Sequence, residues 1–129
     1  MRRPETFFYA MYPAEFRSDA LGLSREDKAT YLLLLNRLCE VGGSLDCEDD
    51  EALSAAVELT LPEWKKAKPR ILKHFEITRS GQIRHWMIDE SLERKEARKK
   101  ASKKANSEKA RKAKERQRKG EIVPLKGSQ

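Results

Sequence analysis

The chain has 129 residues, room for one small domain with an appendage, and its two cysteines are too few for a disulfide scaffold. Its charge is divided: residues 91–129 hold 15 of the 28 Lys and Arg but 5 of the 21 Asp and Glu, a net of +10, which leaves residues 1–90 at −3. No stretch approaches the roughly 18 apolar residues of a spanning helix, and a slightly acidic body joined to a basic tail points to a polyanionic partner, nucleic acid ahead of an anionic membrane surface.

The start imitates an export signal, with Met1-Arg2-Arg3 before an apolar run from Phe7 to Tyr12. Glu5, Pro13 and Glu15 leave that run too short. Cys39 and Cys47 are therefore expected as reduced thiols in a soluble cytoplasmic protein with no membrane partner. Phe7, Phe8, Tyr9, Met11 and Tyr12 form an aromatic-rich cluster that ends at Pro13. Proline opens helices well because its missing N–H falls among the unpaired donors, so a short helix is expected from Pro13 to about Ala20. Phe16 would then lie against the next helix. The aromatics could stack on bases, but a body this small needs them for its core.

Residues 24–40, SREDKATYLLLLNRLCE, read as the central helix. Ser24 caps its start, and Glu26 and Asp27 complement the positive end of the helix dipole. Tyr31, Leu32, Leu33, Leu34, Leu35, Leu38 and Cys39 make it apolar over so wide an arc that other elements should surround it. Gly42 and Gly43 supply the left-handed residue that ends a helix. Ser44-Leu45-Asp46 is then expected to be extended, and the acidic run Cys47-Glu48-Asp49-Asp50-Glu51 leads into a short helix through Ala52, Leu53, Ala56 and Val57. As a calcium loop this run fails, because Glu51 stands where glycine is needed and Val57 where the closing glutamate is needed. Acids at a helix N-terminus account for it.

Thr60-Leu61-Pro62-Glu63 is a capping box, opening a helix expected to run to about Phe75, with Pro69 kinking or dividing it. Trp64, Ala67, Ile71 and Phe75 recur at helical spacing and should face the central helix. Lys66, Arg70 and Lys73 form a stripe on another face, with Lys65 alongside. Glu76-Ile77-Thr78 and Ile83-Arg84-His85-Trp86, joined through Arg79-Ser80-Gly81-Gln82, read as a β-hairpin with Gly81 in the turn. Helical periodicity resumes through Ile88, Asp89, Glu90 and Leu92. From Glu93 to Lys119 there is no large apolar side chain, so residues 93–129 are an appendage and not a second core. Its Ala, Lys, Arg and Glu content and the i, i+4 pairs Glu96/Lys100, Glu108/Lys112 and Glu115/Lys119 favour a helix, though like-charge repulsion leaves a disordered tail as the alternative. Leucine heptads of a basic zipper are absent.

This order of elements is that of a winged helix-turn-helix: mainly α, with one small hairpin and Leu45 beside it as a third strand. Residues 1–92 form the winged-helix domain and 93–129 the basic tail. The helices flanking Glu58-Leu59-Thr60 make the helix-turn-helix, and residues 77–86 make the wing. The second helix of such a pair normally enters the DNA major groove, and here it carries the basic stripe.

Residues 9–92 also resemble the YdaU-like family of phage and prophage proteins, a domain of unknown function similar to the N-terminal DNA-binding domains of phage replication initiators. The resemblance rests on Tyr12-Pro13, Asp19, Leu23-Ser24, Glu26, Tyr31, Leu34-Leu35, Leu45 before the acidic run, Leu53, Trp64, Phe75, Gly81 and Ile88-Asp89. The family usually has Gly-Ala before the tyrosine where this chain has Ala29-Thr30. The resemblance implies a phage origin and involvement with DNA or replication.

No catalytic set stands out, and no cofactor or enzymatic activity is expected. Ser24, Ser44, Ser54 and Ser80 lack a glycine-framed elbow, and there is no phosphate-binding glycine loop. His74, His85, Cys39 and Cys47 do not stand at short metal-ligand spacings; the histidines are expected on the rim of the hairpin and Cys39 in the core. The nucleic-acid-binding candidates are Lys65, Lys66, Arg70 and Lys73 on the 62–75 helix, Arg79 and Arg84 on the wing, and Lys99, Lys100, Lys103, Lys104, Arg111 and Lys112 on the tail. Lysines suit phosphates, while Arg70 and Arg84 suit bidentate base reading. The expected function is non-enzymatic duplex-DNA binding in replication or its regulation. The alternatives are an adaptor that binds a replication or host protein, and RNA binding through the tail. The oligomeric state is left open.

Overall fold

The computed structural model describes the backbone of residues 8–127 and the side chains of residues 8–115. The export-like start, Phe7 of the aromatic cluster and the Lys119 side chain lie outside these residues. The chain divides into two compact units, Met1–Leu92 and Glu93–Gln129.

The first unit is mostly helical with a small open sheet, consistent with a winged helical arrangement. Its elements are α1 (Pro13–Asp19), α2 (Arg25–Glu40), β1 (Leu45–Asp46), α3 (Asp50–Ala56), α4 (Leu61–Leu72), β2 (Glu76–Ile77), β3 (Gln82–Arg84) and the start of α5 (Trp86–Gly127). The antiparallel sheet has the order β1-β3-β2, with Leu45 opposite Ile83 and Ile77 opposite Ile83 on the other side. Ile83 is fully buried at this junction.

Ser24 caps α2, its hydroxyl accepting from Asp27 N–H at 3.1 Å. At the other end, Gly42 N–H bonds the Cys39 carbonyl and Gly43 N–H bonds the Leu38 carbonyl, which satisfies two terminal acceptors. Gly43 has φ +110°, where a side chain is strained, and a Cβ there would also meet Leu92 Cδ1 at 2.6 Å and force that side chain to shift. The end of α3 repeats this geometry without a glycine: Glu58, at φ +59°, donates its N–H to Ala55, and Leu59 N–H bonds Ser54.

Tyr31, Leu34, Leu35 and Leu38 of α2 pack in one core with Leu53, Trp64, Ala67, Ile71, Phe75, Ile83 and Ile88. Leu32 departs from the all-round burial expected of α2, being 38 % exposed: it shares one side of the helix with Lys28, Ala29 and Asn36, which are exposed as well. The helix that opens at Thr60 ends at Leu72 rather than Phe75, and it passes Pro69 without division. The carbonyl that proline leaves unbonded belongs to exposed Lys65, where water can satisfy it. In the second unit α5 is helical, and every described side chain from Glu93 to Glu115 is exposed.

The histidines correct the sequence reading. His85 is 2 % exposed and stands at the start of α5 rather than on the rim of a wing reaching Trp86. Its Nδ1 accepts from Met87 N–H at 3.2 Å, capping the helix, and its Nε2 lies 2.8 Å from the Tyr31 hydroxyl. Because Nδ1 is an acceptor, the ring proton sits on Nε2 and is donated to Tyr31, which in turn donates to Asp19 Oδ2 at 2.7 Å. His74 Nδ1 reaches the same Asp19 oxygen at 3.1 Å, with its ring stacked on Tyr31. Burial pushes the His85 pKa down to about 4, against smaller upward pulls from Asp19 and Asp89 and with a further downward push from His74. Burial raises the Tyr31 hydroxyl, as does Asp19. For Asp19, burial acts upward, but hydrogen bonds from Tyr31 and His74 bring its carboxyl below the usual range.

Candidate nucleic-acid interface

The basic face of α4 follows from how the helix is anchored. Thr60 and Glu63 exchange both bonds of the capping box, at 3.3 and 2.9 Å. Trp64, Ala67 and Ile71 turn inward. Trp64 Nε1 donates to Asp50 Oδ1 at 3.0 Å, and Lys68 Nζ donates to the same oxygen at 2.8 Å and to the Cys47 carbonyl at 2.6 Å. These bonds, that from Lys68 above all, hold the Asp50 carboxyl below its usual range. Lys68 thus fastens α4 to the start of α3, and the acidic run has a structural role. Asp49 caps α3 by accepting from Ala52 N–H at 3.2 Å.

With that side fixed, Pro62, Lys65, Lys66, Pro69, Arg70 and Lys73 are exposed. Their spacing places them on one face. Among the described residues, Lys65, Lys66 and Lys73 have no ion-pair partner. Arg70 does: its Nε lies 2.7 Å from Asp27 Oδ2, its Nη2 3.3 Å from Oδ1, and its Nη1 donates to the Lys66 carbonyl at 3.1 Å. Asp27 is buried at the start of α2, so the pair ties α4 to the central helix, although the Arg70 side chain stays 53 % exposed.

Arg79 is exposed in the hairpin turn, where Gly81 takes φ +80°. Arg84 on β3 is half-buried, its Nε and Nη2 held by Asp89 Oδ1 at 3.1 and 2.7 Å. Both arginines suited to base reading are therefore engaged by carboxylates of the chain itself, with only part of each guanidinium fork unused. Lys99, Lys100, Lys103, Lys104, Arg111 and Lys112 are exposed on α5 in the second unit.

Asp27 and Asp89 are the residues that sequence reasoning left out of the site. Asp27 is 43 positions from Arg70, and no local pattern joins them. Among the described residues, no group of three or more His, Cys, Asp or Glu side chains could hold a metal ion, and no helix is long and apolar enough to cross a membrane. Comparison with curated proteins and with solved structures finds no match for the chain. The model of a family described as "Protein of unknown function (DUF1376)" matches residues 7–93, most of the first unit, and the chain belongs to that family.

Proposed function

We infer that this is a non-enzymatic, phage-derived DNA-binding protein acting in replication or its regulation. In this reading α3 and α4 are a helix-turn-helix, the β2–β3 hairpin is its wing, and the basic tail adds affinity that does not depend on sequence. The observation that carries it is the face of α4 on which Lys65, Lys66 and Lys73 are exposed and lack an ion-pair partner. Cations without partners on a well-fixed helix are available to phosphates at no cost in broken ion pairs. Arg79 adds a further exposed cation in the wing. Arg70 and Arg84 act in this reading as buttressed groups that offer their remaining N–H donors, with orientation set by Asp27 and Asp89.

The test is a fluorescence-anisotropy titration of duplex DNA, single strands and RNA with the full chain, a 1–92 truncation, and a Lys65→Glu/Lys66→Glu/Lys73→Glu variant. The triple variant should lose any preference among duplexes while keeping tail-driven binding, and the truncation should weaken all sequences alike. Unchanged duplex affinity and preference in the triple variant would overturn the docking face. The second reading, an adaptor for a replication or host protein, is favoured by the net −3 of residues 1–90 and by the internal pairing of Arg70 and Arg84.

A further inference from the structure

A second surface shares no residue with the basic face of α4. Between α1 and the first half of α2 lies an open groove of about 380 Å³, walled by Met11, Phe16, Ala20 and Leu32, with the cations Arg17 and Lys28 also lining it. Among the described residues, no carboxylate lines it. Neither cation has an ion-pair partner among the described residues. Leu32 is 38 % exposed on the solvent side of α2, and Leu21, in the connection that follows α1, is 72 % exposed. Large apolar side chains left in water beside a formed groove are the usual mark of a recognition surface.

The lining states what the occupant must be. Aliphatic walls take aliphatic side chains. Phe16 is the only aromatic residue among the described residues of the lining, and its ring is packed on Tyr31 with centroids 4.8 Å apart, so the groove lacks the paired aromatic faces that sandwich a nucleobase. A trough between two helices suits the apolar stripe of a third, read at i, i+3, i+4 and i+7. Two cations without ion-pair partners, in a lining whose described residues include no carboxylate, favour negative charge around that stripe and reject a basic one. We propose that the α1–α2 groove docks an acidic amphipathic helical segment of a protein partner, its leucine-type side chains seated on Phe16 and Leu32 and its carboxylates on Arg17 and Lys28. The basic tail would bind any acidic peptide loosely, so the distinguishing property of the groove is its demand for apolar anchors together with acid.

The experiment uses the full chain and a fluorescein-labelled synthetic peptide with leucines at i, i+3, i+4 and i+7 and glutamates elsewhere. Controls replace the leucines with serine or the glutamates with lysine. Binding is read by anisotropy, and its location by methyl NMR of Met11 and Leu32. The parent peptide should shift both methyl signals, and each control should bind about tenfold or more weakly, the size expected for losing at least one buried leucine. Leu32→Glu should weaken the parent peptide similarly. Arg17→Glu with Lys28→Glu, which alters only exposed side chains and leaves the core untouched, should do the same, and circular dichroism checks folding of both variants. Equal binding of the serine control, or binding without movement of the Met11 and Leu32 methyls, would assign the interaction to the tail and overturn the proposal. Methyl shifts that depend on protein concentration without peptide would make the occupant a second copy. The same shifts with a single-stranded oligonucleotide would make it nucleic acid, and either result overturns the proposal. Neither readout depends on duplex binding by α4, so the two surfaces fail or survive separately.

Discussion

Acidification should destabilise the fold through His85 before the carboxylates contribute. The ring is buried, its Nδ1 accepts the Met87 N–H at the start of α5, and its Nε2–H is donated to Tyr31. A second proton has to go on Nδ1. That breaks the cap, sets two N–H groups against each other, and puts positive charge at the positive end of a helix. The folded pKa lies at about 4 against 6.5 for an ordinary histidine. Between these values the unfolded chain binds more protons than the folded one, so stability rises with pH: it is fully present above about 6.5 and is lost as pH falls toward 4. At about 1.4 kcal/mol per pH unit, the whole loss is about 3 kcal/mol. The lowered pKa of Asp19 acts in a separate, more acidic window, because stability from a depressed carboxyl is lost only below its unfolded value of 3.8. Urea unfolding followed by tryptophan fluorescence at pH 7.5, 6, 5 and 4 measures the slope. A His85→Gln variant subtracts every other titrating group, since glutamine has no charge to gain. The wild type should lose stability between pH 6.5 and 4 more steeply than the variant. Identical slopes would show that His85 is not held neutral and would undo the tautomer assigned to the Asp19–Tyr31–His85 chain.

Leu35→Ala should cost about 2–5 kcal/mol and Trp64→Ala about 3–5 kcal/mol in denaturant melts, as for other fully buried side chains; the tryptophan variant also removes one of the two donors to Asp50, leaving that from Lys68. Glu58→Gly should stabilise the protein by about 0.5–1 kcal/mol, since relief of a left-handed non-glycine residue exceeds the extra freedom glycine brings to the unfolded chain; a destabilised variant would mean that the Glu58 side chain makes a compensating contact. Deleting residues 93–129 should flatten the salt dependence of duplex binding, where each phosphate contact contributes a slope of about −0.9 in log–log form. Amide exchange should be slow at Leu34 and Leu35 and fast beyond Lys100, because the described side chains there are all exposed and bury nothing.

Local physics made much of this protein readable in one dimension. Ser24 and Thr60 cap the helices they precede, Gly42 and Gly43 end α2, and Gly81 turns the hairpin, because each of these devices closes within a few residues. The inward positions Trp64, Ala67 and Ile71 followed from helical period, and the basic tail from composition alone. What sequence could not settle were pairings across long separations. Nothing near Arg70 announces Asp27, and nothing near His85 announces Tyr31, yet the first pairing bridges a supposed base-reading arginine and the second draws a supposed rim histidine into the core. Leu32 is left uncovered for a related reason: the period says a residue is apolar, but only the arrangement of neighbouring helices decides whether anything covers it. Charge and hydrophobicity are properties of single residues and of short repeats. Whether a charge is spent within the fold or an apolar side chain stays open to a partner depends on which distant element the folded chain brings against it.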